Sequence, residues 1–362
     1  MKILLSGATA GTNFGDFLFA RMFQDYVGNI VGKENVYWYD GGYHAMSDFY
    51  AKHLNYDRKY KLSEIDALIY ISGGYLCGND RCIKDYVIRF LNYFLIGIRC
   101  YLHNIPFVFV GVEAARSKSI WIDYVQRFLV KKAKLIIVRN QPSYEYVLNI
   151  VGGNANKVFC TADSVFAIDC NFYNNLTIPD NILNCPSPIL FYHTKPSLSG
   201  STKHFELIIP IINQFLNEHP EYSVIISPDQ YSVNFEEVKH KVLQRIKANN
   251  VIVYNYDNPV ALCRVIDKCD VVVTDKLHVG IVGAQLGKSV ISFSGHTQKI
   301  ARLYEQLGIS DRTIPLSELT IKKGVDLLNK KHHERVVVSD SIRKAAQSNF
   351  AMLSTFIESI NK

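Results

Sequence analysis

Two lysines and two histidines stand at the starts of two consecutive predicted helices in the stretch 270–308. Lys276 and His278 fall in the first turn of one helix, and His296 and Lys299 fall in the first turn of the next. The first turn of a helix carries unpaired N–H groups and a partial positive charge, so it attracts anions. Cationic side chains at two such turns therefore predict a site for a phosphate or a carboxylate. The alternative is a pair of ordinary turns with solvated lysines.

The elements that must position these residues are predicted to be strand, helix, strand and helix. The apolar run 271–273 is typical of a short buried strand, and Thr274 and Asp275 are predicted N-caps of the helix that follows. The two helices are predicted to stop at Gly287 and Gly308, because glycine is the usual residue just past a helix end. Since both helices follow strands of one parallel sheet, their starts are expected to face the same crevice.

The sequence T-x-K-L-H at 274–278, followed by a helix of small residues, Gly287, a strand and Lys299, resembles the C-terminal signature of polysaccharide pyruvyl transferases. The resemblance implies an enzyme that moves a pyruvyl group from phosphoenolpyruvate onto a sugar of a cell-surface or capsular polysaccharide precursor. The products are a cyclic pyruvate ketal and phosphate. Lys276, His278 and Lys299 would then bind phosphoenolpyruvate, with Lys276 standing where the family usually has an arginine.

A second block of the chain resembles the same family. Arg139 ends a predicted buried strand and is followed by N-Q-P-S and, further on, by A-D-S-V-F at 162–166. The resemblance implies that Arg139 is another phosphoenolpyruvate ligand, and the planar fork of arginine matches pairs of carboxylate or phosphate oxygens. A salt bridge at the strand end is the alternative. The family's aspartate after this arginine is Asn140 here.

Two short stretches are expected on the acceptor side. The sequence N-F-G-D at 13–16 resembles the N-x-G-D turn near the start of pyruvyl transferases, which implies acceptor contacts from Asn13 and Asp16. Asp16 is either a helix N-cap or a carboxylate that faces the acceptor sugar. Gly73 and Gly74 follow a predicted strand, where glycines allow a ligand to approach the backbone closely, and the family often has such a pair there.

The implied chemistry requires an acid, a base and groups that hold anions. His278 is the predicted acid, because imidazole titrates near neutrality, and Asp16 is the predicted base for a sugar hydroxyl. We expect no metal, and no cofactor besides phosphoenolpyruvate as co-substrate; the acceptor would be a sugar or a lipid-linked oligosaccharide. The alternatives are a glycosyltransferase that uses a nucleotide sugar and a catalytically inactive sugar-binding relative.

Bulk properties bound the class of protein. The formal charge of +7 over 362 residues is mild, and without a dense basic stripe it predicts no nucleic-acid partner. Eight cysteines without a CxxC pair are typical of reduced thiols, and the short apolar start is unlike a signal peptide, so we expect a cytoplasmic protein. The predicted helix 121–130, followed by Lys131, Lys132 and Lys134, either contacts the inner face of the membrane peripherally or simply packs on the sheet.

Strands alternate with helices throughout the chain, which predicts parallel α/β structure. We expect two Rossmann-like parallel-sheet domains facing a cleft, an arrangement similar to the glycosyltransferase B architecture of the pyruvyl transferase family. The N-terminal α/β domain, residues 1–180, is the predicted acceptor side and contributes Arg139. The C-terminal α/β domain, residues 186–335, is predicted to hold the donor anion site, and residues 339–362 form a final helix.

Overall fold

A computed structural model of the chain describes residues 1–40, 46–54, 59–77, 82–153, 155–199, 201–295 and 297–360. Contacts divide the chain into two compact units. The first unit comprises Met1–Thr12, Asp16–Ala167 and Asp340–Lys362, and the second comprises Asn13–Gly15 and Ile168–Ser339. The chain thus passes to the second unit before residue 180, and Ile168 already accepts a hydrogen bond from the Gln285 side chain of that unit.

The first unit is built on a parallel sheet. Its strands are β1 (Ile3–Ser6), β2 (Val36–Trp38), β3 (Ala67–Tyr70), β4 (Gly73–Leu76), β5 (Phe107–Ala114), β6 (Leu135–Val138) and β7 (Val158–Cys160). Its helices are α1 (Phe14–Val31), α2 (Asp48–Leu54), α3 (Ile83–Arg89), α4 (Leu95–Leu102), α5 (Ile120–Lys132) and α6 (Gln141–Ile150). The strand order is β2-β1-β3-β5-β6-β7, and β4 pairs with β5. Strands β1, β3 and β5 are buried along their whole length, as expected of the middle of a covered parallel sheet.

The second unit has a parallel sheet of its own. Its strands are β8 (Ile189–His193), β9 (Ser223–Ser227), β10 (Val251–Val253), β11 (Val271–Thr274), β12 (Ser289–Ser294) and β13 (Thr313–Pro315). Its helices are α7 (Asp180–Leu183), α8 (Ile209–Glu218), α9 (Phe235–Leu243), α10 (Pro259–Asp267), α11 (Leu277–Gln285), α12 (Thr297–Gln306) and α13 (Ile321–Lys331). The prediction of two parallel-sheet α/β domains is therefore confirmed.

The strand order of the second sheet, β10-β9-β8-β11-β12-β13, contains a change of direction. The chain moves outward on one side from β8 to β10, and then returns to the middle to place β11 beside β8. The carboxyl ends of β8 and β11 therefore flank the topological switch point, where open parallel sheets leave a crevice for ligands.

The predicted helix ends of the second unit are confirmed, and one predicted start is wrong. Gly287 and Gly308 have φ values of 67° and 69°, the left-handed conformation that glycine adopts easily just past a helix. At the start of α11, Lys276 occupies the N-cap position and donates its backbone N–H to the Thr274 hydroxyl at 3.0 Å. Asp275 does not cap the helix, because its carboxylate is taken up by an ion-pair cluster.

The predicted N-cap role of Asp16 is also wrong. Helix α1 begins at Phe14, so Asp16 is its third residue. The side-chain oxygen of Asn13 instead accepts a hydrogen bond from the backbone N–H of Gly15 at 3.0 Å. An asparagine before the helix can reach the free N–H groups of the first turn, as N-cap residues do.

The last helix, α14 (Asp340–Ile360), follows Ser339 as predicted and packs with the first unit. Its buried Asn349 donates to the backbone oxygen of Ala162 at 3.0 Å and to the hydroxyl of Ser164 at 3.0 Å. The same side chain accepts from the Thr161 hydroxyl at 2.7 Å. These bonds satisfy a buried amide and fix the register of α14. No helix in the described part of the chain combines the length and apolarity needed to cross a bilayer.

Candidate functional site

Three polar side chains meet where strands of the second sheet end. His193 ends β8, Asp229 follows β9 and Asp275 follows β11, and all three are buried. The His193 Nε2 lies 3.1 Å from an Asp229 carboxylate oxygen, and its Nδ1 lies 3.0 Å from Oδ1 of Asp275. One imidazole therefore bridges two carboxylates at the switch point.

Two lysines and His204, whose Nε2 lies 3.4 Å from Asp275 Oδ2, complete this group. We name it the switch-point cluster: His193, Lys195, His204, Asp229, Asp275 and Lys276. Lys276 Nζ lies 3.2 Å from Asp229 Oδ2, and Lys195 pairs with Asp275. The lysine side chains keep 26% and 22% of their surface exposed, whereas the aspartates are buried. The aspartates are therefore shielded from solvent, and the two lysines place positive charge where the cluster reaches the surface.

The carboxylates and the imidazole shift each other's proton affinities. Burial alone would lower the pKa of His193, but the charges and hydrogen bonds of Asp229 and Asp275 outweigh it and raise that pKa. Burial alone would raise the pKa of Asp275, but hydrogen bonds from His193 and His204 and the charge of Lys195 hold it well below its ordinary value. The pKa of Asp229 is lowered against burial in the same way, by His193 and Lys276. The buried carboxylates thus favour the protonated form of His193, and His193 in turn favours the ionised forms of both aspartates.

The segment Asn13–Gly15 belongs to the second unit and docks on this cluster. The Asn13 amide lies 3.4 Å from Asp229 Oδ2, and Asn13 forms an antiparallel bridge with Gln230. The backbone N–H of Phe14 donates to the carbonyl of Asp229 at 2.8 Å. Asp229 therefore contacts three parts of the site: the N-F-G-D turn, Lys276 and His193.

His278 lies in the first turn of α11 and packs against the backbone of Gly15. A Cβ atom at position 15 would fall 1.8 Å from His278 Nδ1, far inside contact distance. No other residue type fits there while the imidazole keeps its place. The glycine of the N-F-G-D sequence thus has a direct physical reason, which the sequence alone did not reveal.

Lys299 occupies the first turn of α12. Strands β11 and β12 are parallel neighbours, so α11 and α12 both begin at the same edge of the sheet. The structure therefore gathers Asn13, Lys276 and His278 around the switch point and places Lys299 one strand away. His296 lies outside the described residues.

Arg139 lies in the first unit, directly after β6, and is buried between two carboxylates. Its Nη2 is 2.6 Å from Glu113 on β5 and its Nη1 is 2.8 Å from Asp163 after β7. Burial would lower the pKa of Arg139, but these carboxylates outweigh it and raise the pKa. We name Glu113, Arg139 and Asp163 the arginine cluster. The role of Arg139 as a donor ligand stays a prediction, and the salt bridge that was its alternative is present.

The other predicted residues of the first unit have clear local surroundings. Asn140 is the N-cap of α6, and its side-chain oxygen accepts from the Ser143 backbone N–H at 3.0 Å. Asparagine caps a helix as well as aspartate does, which accounts physically for this departure from the family pattern.

The predicted acceptor-side residues of the N-terminal part of the chain lie in regular elements. Gly73 and Gly74 lie within β4 rather than after a strand, and Asp16 lies in α1. Their predicted acceptor roles remain predictions.

Sequence reasoning missed Asp229 and Glu113 and assigned His193 no role. The available signal was the position of His193 and Asp229 directly at or after a buried strand, where parallel sheets place ligand-binding side chains. Within the described residues, no group of histidine, cysteine, aspartate or glutamate side chains is arranged to hold a metal ion.

Solved structures with similar folds include UDP-GlcNAc 2-epimerases and a forosaminyltransferase. The chain is similar to the UDP-GlcNAc 2-epimerase from Neisseria meningitidis bound to UDP-GlcNAc, with a TM-score of 0.66, 12% identity and coverage of 99% of this chain and 100% of that one. The epimerase from Methanocaldococcus jannaschii gives 0.62 at 11% identity, covering 98% and 100%. A spinosyn forosaminyltransferase gives 0.54 at 10% identity, with both chains covered fully. At such identities the likeness shows the fold alone, which is glycosyltransferase B-like.

No curated protein matches the sequence significantly. A sequence profile of the family described as polysaccharide pyruvyl transferase matches residues 13–297, more than half of the chain. The matched region begins at Asn13 and contains Arg139, the switch-point cluster and His278, while Lys299 lies just beyond it. The chain therefore belongs to the polysaccharide pyruvyl transferase family.

Proposed function

We propose that the protein transfers the pyruvyl group of phosphoenolpyruvate to two hydroxyls of a sugar in a cell-surface polysaccharide precursor. The observation that carries this proposal is the placement of His278 and Lys276 at the switch point, at the start of α11. An imidazole, a lysine and a helix N-terminus at one point suit a small, multiply charged anion. Phosphoenolpyruvate is the co-substrate, and the acceptor is a sugar or a lipid-linked oligosaccharide.

The donor is held by charge. Lys276 and Lys299 stand at two neighbouring helix starts, so phosphate and carboxylate can each meet a cation and free N–H groups. Asp229 draws the Lys276 ammonium toward the sheet, which sets its position before a ligand arrives. A lysine held in advance loses less side-chain entropy when it binds the anion.

The reaction then needs two proton movements. His278 donates a proton to the methylene carbon of phosphoenolpyruvate, which makes C2 electrophilic. One sugar hydroxyl attacks C2 and gives its proton to a base, for which Asp16 is the predicted residue. Breaking the C2–O bond releases phosphate, and attack by the second hydroxyl, with loss of its proton, closes the cyclic ketal.

The test is phosphate release from phosphoenolpyruvate that depends on an added sugar acceptor, with the pyruvylated product identified by mass. Galactose, glucose and N-acetylmannosamine acceptors are screened first. Gly15→Ala should reduce the rate by at least about tenfold, or about 1.4 kcal/mol of barrier, because the new methyl group displaces His278. Gly28→Ala, in the same helix, is the control, since its Cβ would meet the flexible Lys33 side chain at 3.1 Å and the Lys33 Cα at an ordinary contact distance of 3.4 Å.

His278→Asn should abolish most of the activity, because it removes the proton donor. Acceptor-dependent phosphate release that survives in both His278→Asn and Gly15→Ala would exclude His278 from the chemistry. Transfer from a nucleotide sugar, with no phosphate released from phosphoenolpyruvate, would replace the proposed reaction with glycosyl transfer.

A further inference from the structure

Helix α5 exposes a row of large apolar side chains to solvent. Ile120, Trp121 and Tyr124 are 85%, 77% and 73% exposed. They lie within one helical turn of each other, so they share one face of the helix. Single exposed apolar residues are ordinary. Three adjacent ones of this size are typical of a surface that binds a protein or a membrane.

The exposed row is distinct from the residues that pack α5 on the rest of the first unit. The opposite face of α5 is already buried, through Ile122, Val125, Leu129 and Val130 among others. The first half of the helix is therefore apolar on nearly all sides. Folding of the first unit does not need Trp121 or Tyr124 to be apolar, because neither is buried by it.

The row continues along the helix and ends in cations. Phe128, one turn after Tyr124, meets the Tyr101 ring edge-to-face at 5.1 Å between centroids. One turn further, Lys132 Nζ lies 5.0 Å from the Tyr101 ring centre. From Ile120 to Lys132 the row spans about 18 Å at the rise of an α-helix. Aromatic rings followed by lysines along one helix face are typical of a helix that lies in a membrane interface.

The charge around the row has one sign. Residues 116–134 carry six basic residues, which are Arg116, Lys118, Arg127, Lys131, Lys132 and Lys134. Their single acidic residue, Asp123, is turned inward and binds Tyr146 and Arg127. A recess of about 420 Å³ beside Ile120 is lined by Arg116, Ser117, Lys118 and Asp123. The surface thus offers cations beside apolar rings, as anionic headgroups above acyl chains require.

From these features we infer that the exposed face of α5 docks on an anionic lipid bilayer. Ile120, Trp121 and Tyr124 enter the boundary between headgroups and acyl chains, and the flanking lysines and arginines meet the lipid phosphates. The long lysine stems allow their charges to stay at the headgroup level. This surface lies in the first unit and is independent of the anion site in the second.

Trp121 provides a direct readout. The chain has two tryptophans, and the other one, Trp38, is fully buried. Adding vesicles of phosphatidylcholine and phosphatidylglycerol to the whole protein should shift the emission to the blue and protect it from acrylamide quenching. Vesicles of phosphatidylcholine alone should give a much smaller change, and added salt should reverse binding. Emission that does not change with anionic vesicles would overturn the inference.

Matched variants distinguish binding through the apolar row from nonspecific vesicle binding by exposed apolar residues elsewhere. Ile120→Ser with Trp121→Ser and Tyr124→Ser should lower vesicle binding in flotation by at least about tenfold, because three interfacial side chains are lost. The control is Tyr231→Ser with Val233→Ser and Val337→Ser, which changes three exposed apolar residues of the second unit. Both triple variants replace solvent-exposed side chains, and their melting temperatures check that they fold.

A second pair of variants tests the charge. Lys118→Glu with Lys131→Glu should weaken binding to anionic vesicles by roughly tenfold or more, since each lysine near the surface contributes to attraction. Lys322→Glu with Lys323→Glu, on the exposed start of α13, is the control. If the α5 apolar variant keeps full vesicle binding but converts a dimer into a monomer in sedimentation, the face binds a second copy of the chain and the inference is wrong.

Discussion

The two buried charge clusters described above both form where parallel strands end, yet they differ in whether their positive groups are buried or reach the surface. In the arginine cluster, one guanidinium satisfies Glu113 and Asp163, and all three groups are buried. In the switch-point cluster, the buried aspartates are matched by Lys195 and Lys276, whose side chains reach the surface. A closed cluster stabilises its sheet, whereas one with a cationic rim can also bind an anion.

The charge balance points the same way. The arginine cluster holds one positive and two negative groups, so it offers an incoming anion no net attraction. In the switch-point cluster two lysines balance two aspartates, and protonation of His193 adds a positive charge. We therefore expect the arginine cluster to act mainly in stability and the switch-point cluster to act mainly in ligand binding, and three experiments test this division.

The largest expected effect is on stability. Arg139→Met should lower the free energy of unfolding by about 3–5 kcal/mol, because it removes the guanidinium that pairs with two buried carboxylates. The measurement is denaturant unfolding of the purified protein. Arg127→Met is the matched control, since Arg127 is exposed and pairs with Asp123 at 2.9 Å, and it should cost under about 1 kcal/mol.

A different outcome would restore the predicted donor role of Arg139. If Arg139→Met unfolds at the same denaturant concentration as the wild type but binds phosphoenolpyruvate more weakly, the guanidinium is a ligand rather than a structural tie. Adding Glu113→Gln and Asp163→Asn to Arg139→Met should recover part of the stability, because the uncompensated charges are then gone.

The second effect is a pH dependence of stability. His193 has a raised pKa in the folded protein, so its contribution is fully present below its unfolded pKa of about 6.5 and is lost as pH rises through the folded pKa. The unfolding free energy should therefore fall in that window, by at most about 1.4 kcal/mol per pH unit, and His193→Gln should remove this slope. Asp229 and Asp275 have lowered pKa values, so their contribution is present above an unfolded pKa of about 3.9 and is lost as pH falls through the folded values.

The measurement is denaturant unfolding of the wild type and His193→Gln at several pH values. Comparing slopes cancels the contribution of His332, whose pKa is lowered by burial. Identical slopes in the two proteins would show that His193 does not carry the extra proton.

The smallest effect concerns Lys276. Lys276→Ala should lower the melting temperature and cost about 1–2 kcal/mol, because Asp229 loses a charged partner but keeps His193 and Asn13. Its loss of phosphoenolpyruvate affinity should be smaller than that of Lys299→Ala, and Lys276→Arg should bind about as well as the wild type. Calorimetric titration of the three variants with phosphoenolpyruvate measures these affinities. Lys195→Ala shows the effect of removing the other surface-reaching lysine of the cluster. A Lys276→Ala variant of unchanged stability whose affinity falls as far as that of Lys299→Ala would make Lys276 a full ligand.

Local patterns in the sequence predicted the parts of this structure that are local. Buried apolar runs located the strands, and Gly287 and Gly308 marked two helix ends because their backbone conformation is special to glycine. Helices α3 and α4 are joined by a π-helical turn, Phe90–Phe94, which apolar periodicity in the sequence does not distinguish from a continuous α-helix.

The clusters could not be predicted, because their members are distant in sequence. His193 and Asp229 meet only because β8 and β9 are neighbours, and Asp275 joins them only because the chain returns to place β11 beside β8. Asp275 had a plausible local partner in the following helix, but a buried imidazole competes better for its charge. The contact of His278 with Gly15 joins opposite ends of the matched region and leaves no trace in spacing.

The return of α14 to the first unit has a consequence for how the protein is made. Asn349 completes hydrogen bonds to Ala162 and Ser164, nearly two hundred residues earlier in the chain. While the ribosome synthesises the second unit, the surface of the first unit that α14 later covers is exposed, which is when a nascent chain is most open to chaperones and to misassembly. The second unit, whose later strands and helices are contiguous in sequence, can finish first even though most of it is translated later.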